Sequence, residues 1–145
     1  MYKRQLQTLE ATHDFTEALA LFDRLVAADA VTPRDYGYAI GSLVGIGRSD
    51  SARALLARVE RMPRTPGYLT SVANGAAALG SWDRAFAAGT EAFAAAGTLF
   101  DIVPAVWRPV AADPRLRAMC ARTRADCDAW LRAIAAAPPL TGPTR

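Results

Sequence analysis

The sequence predicts an all-α protein, arranged as an α-solenoid of three antiparallel helix pairs followed by a C-terminal capping helix. Three observations lead to this prediction. An alanine-rich composition with 52% hydrophobic and 21% charged residues favours helix over sheet. No segment sustains the alternation of apolar and polar residues that is typical of a half-buried strand. A similar short phrase also recurs at a nearly constant interval, as HDFTEA, GRSDSA and GSWDRA.

The recurring phrase sets the period of the chain. Its last alanines, Ala18, Ala52 and Ala85, lie 34 and 33 residues apart. A period of this size is typical of repeats that consist of a helix, a tight turn and a second helix. The predicted repeats span about 1–31, 33–64 and 66–97. Their turns are expected near 12–15, 46–50 and 79–83.

The first helix of each predicted pair carries an apolar stripe at helical spacing. These stripes are Tyr2, Leu6 and Leu9, then Tyr36, Ile40 and Leu43, then Leu69, Ala73 and Ala76. The second helices contain the recurring alanines, where a small side chain lets two helices approach closely. Gly47 and Gly80 lie just past a first helix, where the backbone often needs a positive φ. His13 takes the same position in the first pair, so we interpret it as a turn residue.

A different helix signal follows the third pair. Asp113 precedes Pro114, a combination that favours an N-cap and the first turn of a helix. We expect this helix to run to Ala136 and to cover the third pair. Its side chains Trp130 and Leu131 should pack against that pair rather than face solvent. The predicted organisation is one helical domain over 1–136, with a connector and capping helix over 98–136 and a proline-rich flexible tail over 137–145.

The turn segments resemble those of tetratricopeptide repeats, through Gly47-Arg48-Ser49-Asp50-Ser51-Ala52 and Gly80-Ser81-Trp82-Asp83-Arg84-Ala85. The resemblance covers about residues 2–97, although the first helices have Ala39-Ile40 and Val72-Ala73 where that family usually has a Leu-Gly pair. The stretch TPRDYGYAIGSLVGIGRSDSARALLARV also resembles pentatricopeptide repeats, which are the close rival. The phrase WRPVAADPRL, residues 107–116, is similar to the tail that follows tetratricopeptide segments in bacterial multidomain regulators.

The first helices of tetratricopeptide domains line a concave groove, so the resemblance implies a protein-binding site there. The groove-facing residues would be Lys3, Arg4 and Gln7, then Arg34, Tyr38 and Gly41, then Thr70, Ser71 and Asn74. Some of these domains hold an acidic C-terminal carboxylate with lysine, arginine and asparagine. Only Lys3 and Asn74 fit that chemistry here. The groove wall would be shallow and smooth, so we expect an extended peptide or a docked helix as the ligand rather than a small molecule. The small residues of this wall are Gly41, Gly45, Ala77 and Ala78. The alternative interpretation of Asn74 is a side chain that merely faces solvent.

Composition and motifs argue against several other classes of function. The net charge of +3 comes from 17 basic and 14 acidic residues in mixed order, without the basic stripe of a nucleic-acid binder. We expect no membrane span and a cytoplasmic location. We also expect no catalysis, metal or cofactor, because the sequence lacks a phosphate-binding glycine loop and a glycine-flanked nucleophile. Cys120 and Cys127 are interpreted as free thiols of a single helix, too far apart along it to form a disulfide.

The sequence therefore predicts a non-enzymatic scaffold that binds a partner peptide or helix in its concave groove. One alternative is a regulatory repeat segment of a bacterial transcription regulator. Another is RNA binding by pentatricopeptide-like units. The sequence does not identify the partner, and it is compatible with both a monomer and a homo-oligomer.

Overall fold

A computed structural model describes residues 2–96, 103–121 and 127–140, apart from the side chains of residues 2–4 and 96. Within these ranges the chain forms helices and turns without a strand, which confirms the all-α prediction. The paired helices are α1 (Tyr2–Ala11), α2 (Phe15–Ala27), α3 (Pro33–Gly45), α4 (Ser49–Val59), α5 (Pro66–Ala78) and α6 (Trp82–Ala96). The C-terminal part contains α7 (Pro104–Trp107), a 3₁₀ turn (Arg108–Val110), α8 (Pro114–Cys120) and α9 (Cys127–Ala136).

Short turns join α1 to α2, α3 to α4 and α5 to α6 at the positions that the period predicts. His13, Gly47 and Gly80 have φ values of 61°, 79° and 73° in these turns. In each turn the following residue donates its N–H at 2.8 Å to the carbonyl five residues earlier. This bond is the one that closes a helix ending in a left-handed residue. The interpretation of His13 as a turn residue is therefore confirmed.

Two of the pairs also begin alike, with a threonine directly before a proline. The carboxylate of Asp35 accepts hydrogen bonds at 2.7 Å from the main-chain N–H and from the hydroxyl of Thr32, before the first turn of α3. The hydroxyl of Thr65 accepts a bond at 3.1 Å from the N–H of Tyr68 in α5. These contacts satisfy N–H groups that have no partner inside the helix.

The second helices pack through the small residues that the period marks. Ala18, Ala52 and Ala85 are fully buried, and each second helix contacts the first helix of its own pair. α3 lies against both α1 and α5, so the first helices form the continuous middle of this part of the chain. The buried alanines agree with the prediction that close approach needs a small side chain there.

The contact between α3 and α5 is unusually close at Gly37. A Cβ atom at this position would lie 3.2 Å from the Cα atom of Ser71. The hydroxyl of Ser71 accepts a hydrogen bond at 3.2 Å from the N–H of Gly37 and donates one to the carbonyl of Pro33. One side chain of α5 therefore bridges two main-chain groups in the first turn of α3.

The prediction of a single helix from Pro114 to Ala136 is wrong, because α8 ends at Cys120 and α9 begins at Cys127. Arg117 and Asp128 form an ion pair at 2.8 Å, whereas eleven residues of continuous helix would rise by about 16 Å. Ala121 forms a turn directly after α8, and residues 122–126 lie outside the described ranges. The two cysteines are free thiols, but they lie in different helices.

Both C-terminal helices nevertheless contribute to covering the third pair. α8 packs on α6, where a Cβ atom at Gly89 would lie 2.5 Å from the sulfur of Met119. Trp130 is buried and meets Phe93 edge to face at 5.7 Å, whereas Leu131 is only partly buried. Of the predicted tail, Ala137 and Leu140 pack partly against the core, and residues 141–145 lie outside the described ranges.

Candidate functional site

The surface of α3 and α5 that carries Gly41 and Asn74, here called the Gly41/Asn74 face, is where the sequence predicts the groove. α7 covers it. The side-chain oxygen of Asn74 accepts a hydrogen bond at 3.0 Å from the indole nitrogen of Trp107 and one at 3.3 Å from the main-chain nitrogen of Val103. Asn74 therefore does not face solvent, and that alternative interpretation is wrong.

Trp107 holds α7 to the third pair. Its side chain is fully buried, and its ring meets that of Phe86 edge to face at 5.5 Å and that of Trp82 at 6.3 Å. Aromatic pairs at such distances stabilise beyond the area that they bury, and a buried indole N–H needs an acceptor. Asn74 supplies this acceptor, so α5 and α6 together form a socket for one tryptophan.

Arg108 holds the other end of the same segment. Its guanidinium group donates hydrogen bonds to the carbonyls of Ala135, at 3.0 Å, and of Ala137. Ala135 belongs to the last turn of α9 and Ala137 directly follows it, where the end of a helix leaves carbonyl groups without internal partners. The segment from Val103 to Arg108 is thus fixed to α5 and α6 on one side and to α9 on the other.

A buried carboxyl group lies beside this segment. Glu10 of α1 has no solvent exposure, and neither of its oxygens has a hydrogen-bond partner among the described residues. Burial raises the pKa of Glu10 well above its ordinary value of 4.5, because a low-dielectric environment disfavours the charged form. The side chain reaches Gly41, where Oε1 occupies the space that a Cβ atom would need. The carboxyl therefore borders the Gly41/Asn74 face from the side of α1.

α7 leaves part of this region unfilled. A cavity of about 290 Å³ remains between α7, the C-terminal ends of α3 and α5, and Leu140. Val106 lines this cavity, and its Cγ1 atom is 3.6 Å from the place where a Cβ at Gly41 would lie. Val106 is itself buried, and neither Gly41 nor Glu10 lines the cavity.

The structure separates the predicted groove residues into different environments. Gly41 and Asn74 lie under α7, whereas Ser71 faces α3 and Thr70 donates its hydroxyl at 3.0 Å to the carbonyl of Pro66 in its own helix. Tyr38, Thr70 and Ser71 are buried, Gln7 is partly buried and Arg34 is exposed. The side chains of Lys3 and Arg4 lie outside the described part of the structure.

Sequence reasoning missed Glu10 and the role of Trp107. Glu10 follows Leu6 by four residues and therefore shares the buried face of α1. An acidic residue at that spacing from the apolar stripe is the signal that could have identified it. Trp107 carries no comparable signal, since its partner Asn74 is 33 residues away in a different element.

No protein-family model matches this chain, and neither does a curated protein or a solved structure. In the described ranges, no three His, Cys, Asp or Glu side chains come close enough together to hold a metal ion. None of the helices in those ranges has the length and apolar character that a membrane crossing requires. The chemistry available at the Gly41/Asn74 face is thus hydrogen-bond acceptance by Asn74 and a buried carboxyl at Glu10.

Proposed function

We propose that this protein is a non-enzymatic scaffold with tetratricopeptide-like repeats, which binds a short segment of a partner protein on its Gly41/Asn74 face. The observation that carries the proposal is the position of α7. The chain already holds a short apolar segment on this face, with Asn74 as the hydrogen-bond acceptor and Gly41 as the site of close approach. A partner segment of similar chemistry would take the place of α7.

The helical-repeat part of the proposal is supported by features common to the three pairs. The turns share a left-handed residue and the same closing hydrogen bond, and the recurring alanines are all buried. Repeats of this kind bury one continuous core by stacking, which leaves the surface of the first helices for ligands.

The two donors bonded to Asn74 indicate what a partner segment must provide. The N–H of Val103 is a main-chain group that any peptide can supply. The indole N–H of Trp107 is specific to tryptophan, and tryptophan is among the side chains that contribute most to binding energy at interfaces. The preferred ligand is therefore a short apolar helix or extended segment that carries one tryptophan.

A peptide of residues 103–112 tests this proposal. The receptor is a full-length variant with Val106→Ser and Trp107→Ser, here called the uncovered variant, whose own segment no longer fits the socket. We expect the labelled peptide to bind the uncovered variant at least about tenfold more tightly than the wild-type protein, because the tethered segment of the wild type competes at high effective concentration. Fluorescence anisotropy measures both affinities.

Two controls make the result decisive. A peptide with Trp107→Ala should not bind. If the uncovered variant loses its helical circular dichroism, the receptor is instead the full-length Trp107→Phe variant, which keeps an aromatic ring but lacks the N–H. Absence of saturable binding to a folded receptor would contradict the proposal, as would equal binding of the Trp107→Ala peptide. Single-stranded RNA is titrated at two salt concentrations in parallel, because phosphate contacts weaken steeply with salt.

A further inference from the structure

We infer that the partner segment carries an arginine or lysine at the position that Val106 takes in α7, and that this cation pairs with Glu10. The inference rests on the proposed function of the Gly41/Asn74 face. It specifies the kind of partner: a short apolar segment with a basic side chain directly before its tryptophan.

The side chains of Glu10 and Val106 meet beside Gly41. Oε1 of Glu10 occupies the space that a Cβ atom at Gly41 would need, and Cγ1 of Val106 lies 3.6 Å from the same point. The side chain at position 106 is therefore a neighbour of the Glu10 carboxyl. Glycine at position 41 is what makes room for the carboxyl, since any larger residue would collide with it.

α7 provides no hydrogen-bond donor to the buried carboxyl of Glu10. Val106 approaches Gly41 with a methyl group and offers no hydrogen-bond donor, while the two oxygens of Glu10 have no hydrogen-bond partner in the described part of the chain. A buried polar group without a partner is costly, and a complementary donor recovers that cost. The tethered segment is therefore an incomplete ligand, and a competitor with a cationic donor would improve on it at this position.

A longer side chain at position 106 reaches Glu10 by the direction that the valine methyl already takes. Cγ1 of Val106 approaches the point over Gly41 that Oε1 of Glu10 occupies, whereas the cavity of about 290 Å³ that Val106 also lines has neither Glu10 nor Gly41 in its wall. A cation here would favour the ionised form of Glu10, and binding would then release the proton that the buried carboxyl holds. Burial is the only cause of the raised pKa of Glu10, with no contribution from a charged group of α2, α3 or α7 in the described ranges.

The experiment uses the uncovered variant with three peptides of residues 103–112. One has the natural sequence, one has Val106→Arg, and one has Val106→Met as a long, uncharged control. We expect the arginine peptide to bind at least about tenfold more tightly than the methionine peptide, in line with close charge pairs at other interfaces. This preference should vanish when the uncovered variant also carries Glu10→Gln.

Calorimetry in two buffers of different ionisation enthalpy gives a second readout. Binding of the arginine peptide should release a proton to the buffer, whereas the methionine peptide and the Glu10→Gln receptor should release none. Equal affinity of the arginine and methionine peptides would overturn the inference, as would a preference that survives Glu10→Gln. If the natural peptide binds and arginine adds nothing, only this inference fails. If none of the three peptides binds, the proposed function itself fails.

Discussion

The side-chain oxygen of Asn74 lies 3.0 Å from the indole nitrogen of Trp107 and 3.3 Å from the main-chain nitrogen of Val103. All of these groups are buried, so water does not compete for them. A single amide oxygen therefore satisfies two donors from a segment that begins 29 residues later in the chain.

Asn74→Ala should lower the free energy of unfolding by about 1–3 kcal/mol, because it leaves two buried donors without an acceptor. Trp107→Phe removes one of those donors and keeps most of the ring contacts with Phe86. The double variant should therefore be less destabilised than the sum of the two single changes. Urea denaturation of the four proteins measures this coupling. Strict additivity would show that the hydrogen bond contributes nothing.

Alanine substitutions at two glycines should have opposite effects on stability. Gly80 has a φ of 73°, which an alanine adopts at a cost of about 1–2 kcal/mol. Gly67 lies in the first turn of α5, where a Cβ atom would make only ordinary contacts of 3.7–3.8 Å. Gly67→Ala should stabilise by roughly 0.4–1 kcal/mol, since it restricts the unfolded chain. Thermal unfolding of both variants provides the comparison, and a loss of stability at both positions would contradict it.

Ala52→Phe should overpack α4 against its neighbours and reduce the free energy of unfolding by about 1–3 kcal/mol. Ala52 is fully buried, whereas Ala57 of the same helix is exposed. Ala57→Phe is therefore the matched control, with the same gain in volume on the solvent side. Denaturation midpoints that do not differ between the two variants would show that Ala52 is not a packing contact.

Glu10 should make the stability of the protein depend on pH in a defined direction. Its pKa is raised in the folded state above the ordinary value of 4.5, so the folded protein holds a proton that the unfolded chain releases. The stability that protonated Glu10 contributes is fully present below the ordinary pKa of 4.5 and is lost as the pH rises through the folded pKa. Between the ordinary pKa and the raised pKa of the folded state, the free energy of unfolding of the wild type should therefore fall relative to that of Glu10→Gln. The decrease is at most about 1.4 kcal/mol per pH unit.

Urea unfolding of the wild type and of Glu10→Gln, from about pH 4 to about pH 8, measures the difference that proton linkage predicts. The two stability curves should converge toward the acidic end and separate toward the basic end. Parallel curves would mean that Glu10 has the same pKa in the folded and the unfolded protein, so that burial does not raise it.

The period of the sequence predicted the local structure of the first 96 residues well. A left-handed turn and a buried alanine are set by the residues that occupy those positions and their near neighbours, so they recur wherever the phrase recurs. The turn conformation of His13 was predicted as well, although it is not a glycine, because it takes the position held by Gly47 and Gly80.

The same period could not reveal how the candidate site is covered. Gly41 and Asn74 lie 33 residues apart and are equivalent in a repeat, yet one adjoins Glu10 and the other bonds to Trp107. The first contact comes from α1 and the second from α7, a segment that lies outside the period of the sequence. The groove was therefore predicted as an open surface, whereas the structure has the chain's own segment on it.

The hydroxyl of Ser71 links the first turn of α3 to α5 through two hydrogen bonds, which depend on the contact between the two helices. The N–H of Gly37 and the carbonyl of Pro33 are the two groups that a first helical turn pairs with each other, and here both contact a hydroxyl from α5. The beginning of α3 therefore has additional hydrogen bonds, beyond those of the helix itself, while α5 is docked against it. Hydrogen exchange at Gly37 should report the opening of α3 from α5 rather than local fraying. This one amide would then measure the cooperativity between the two adjacent helix pairs.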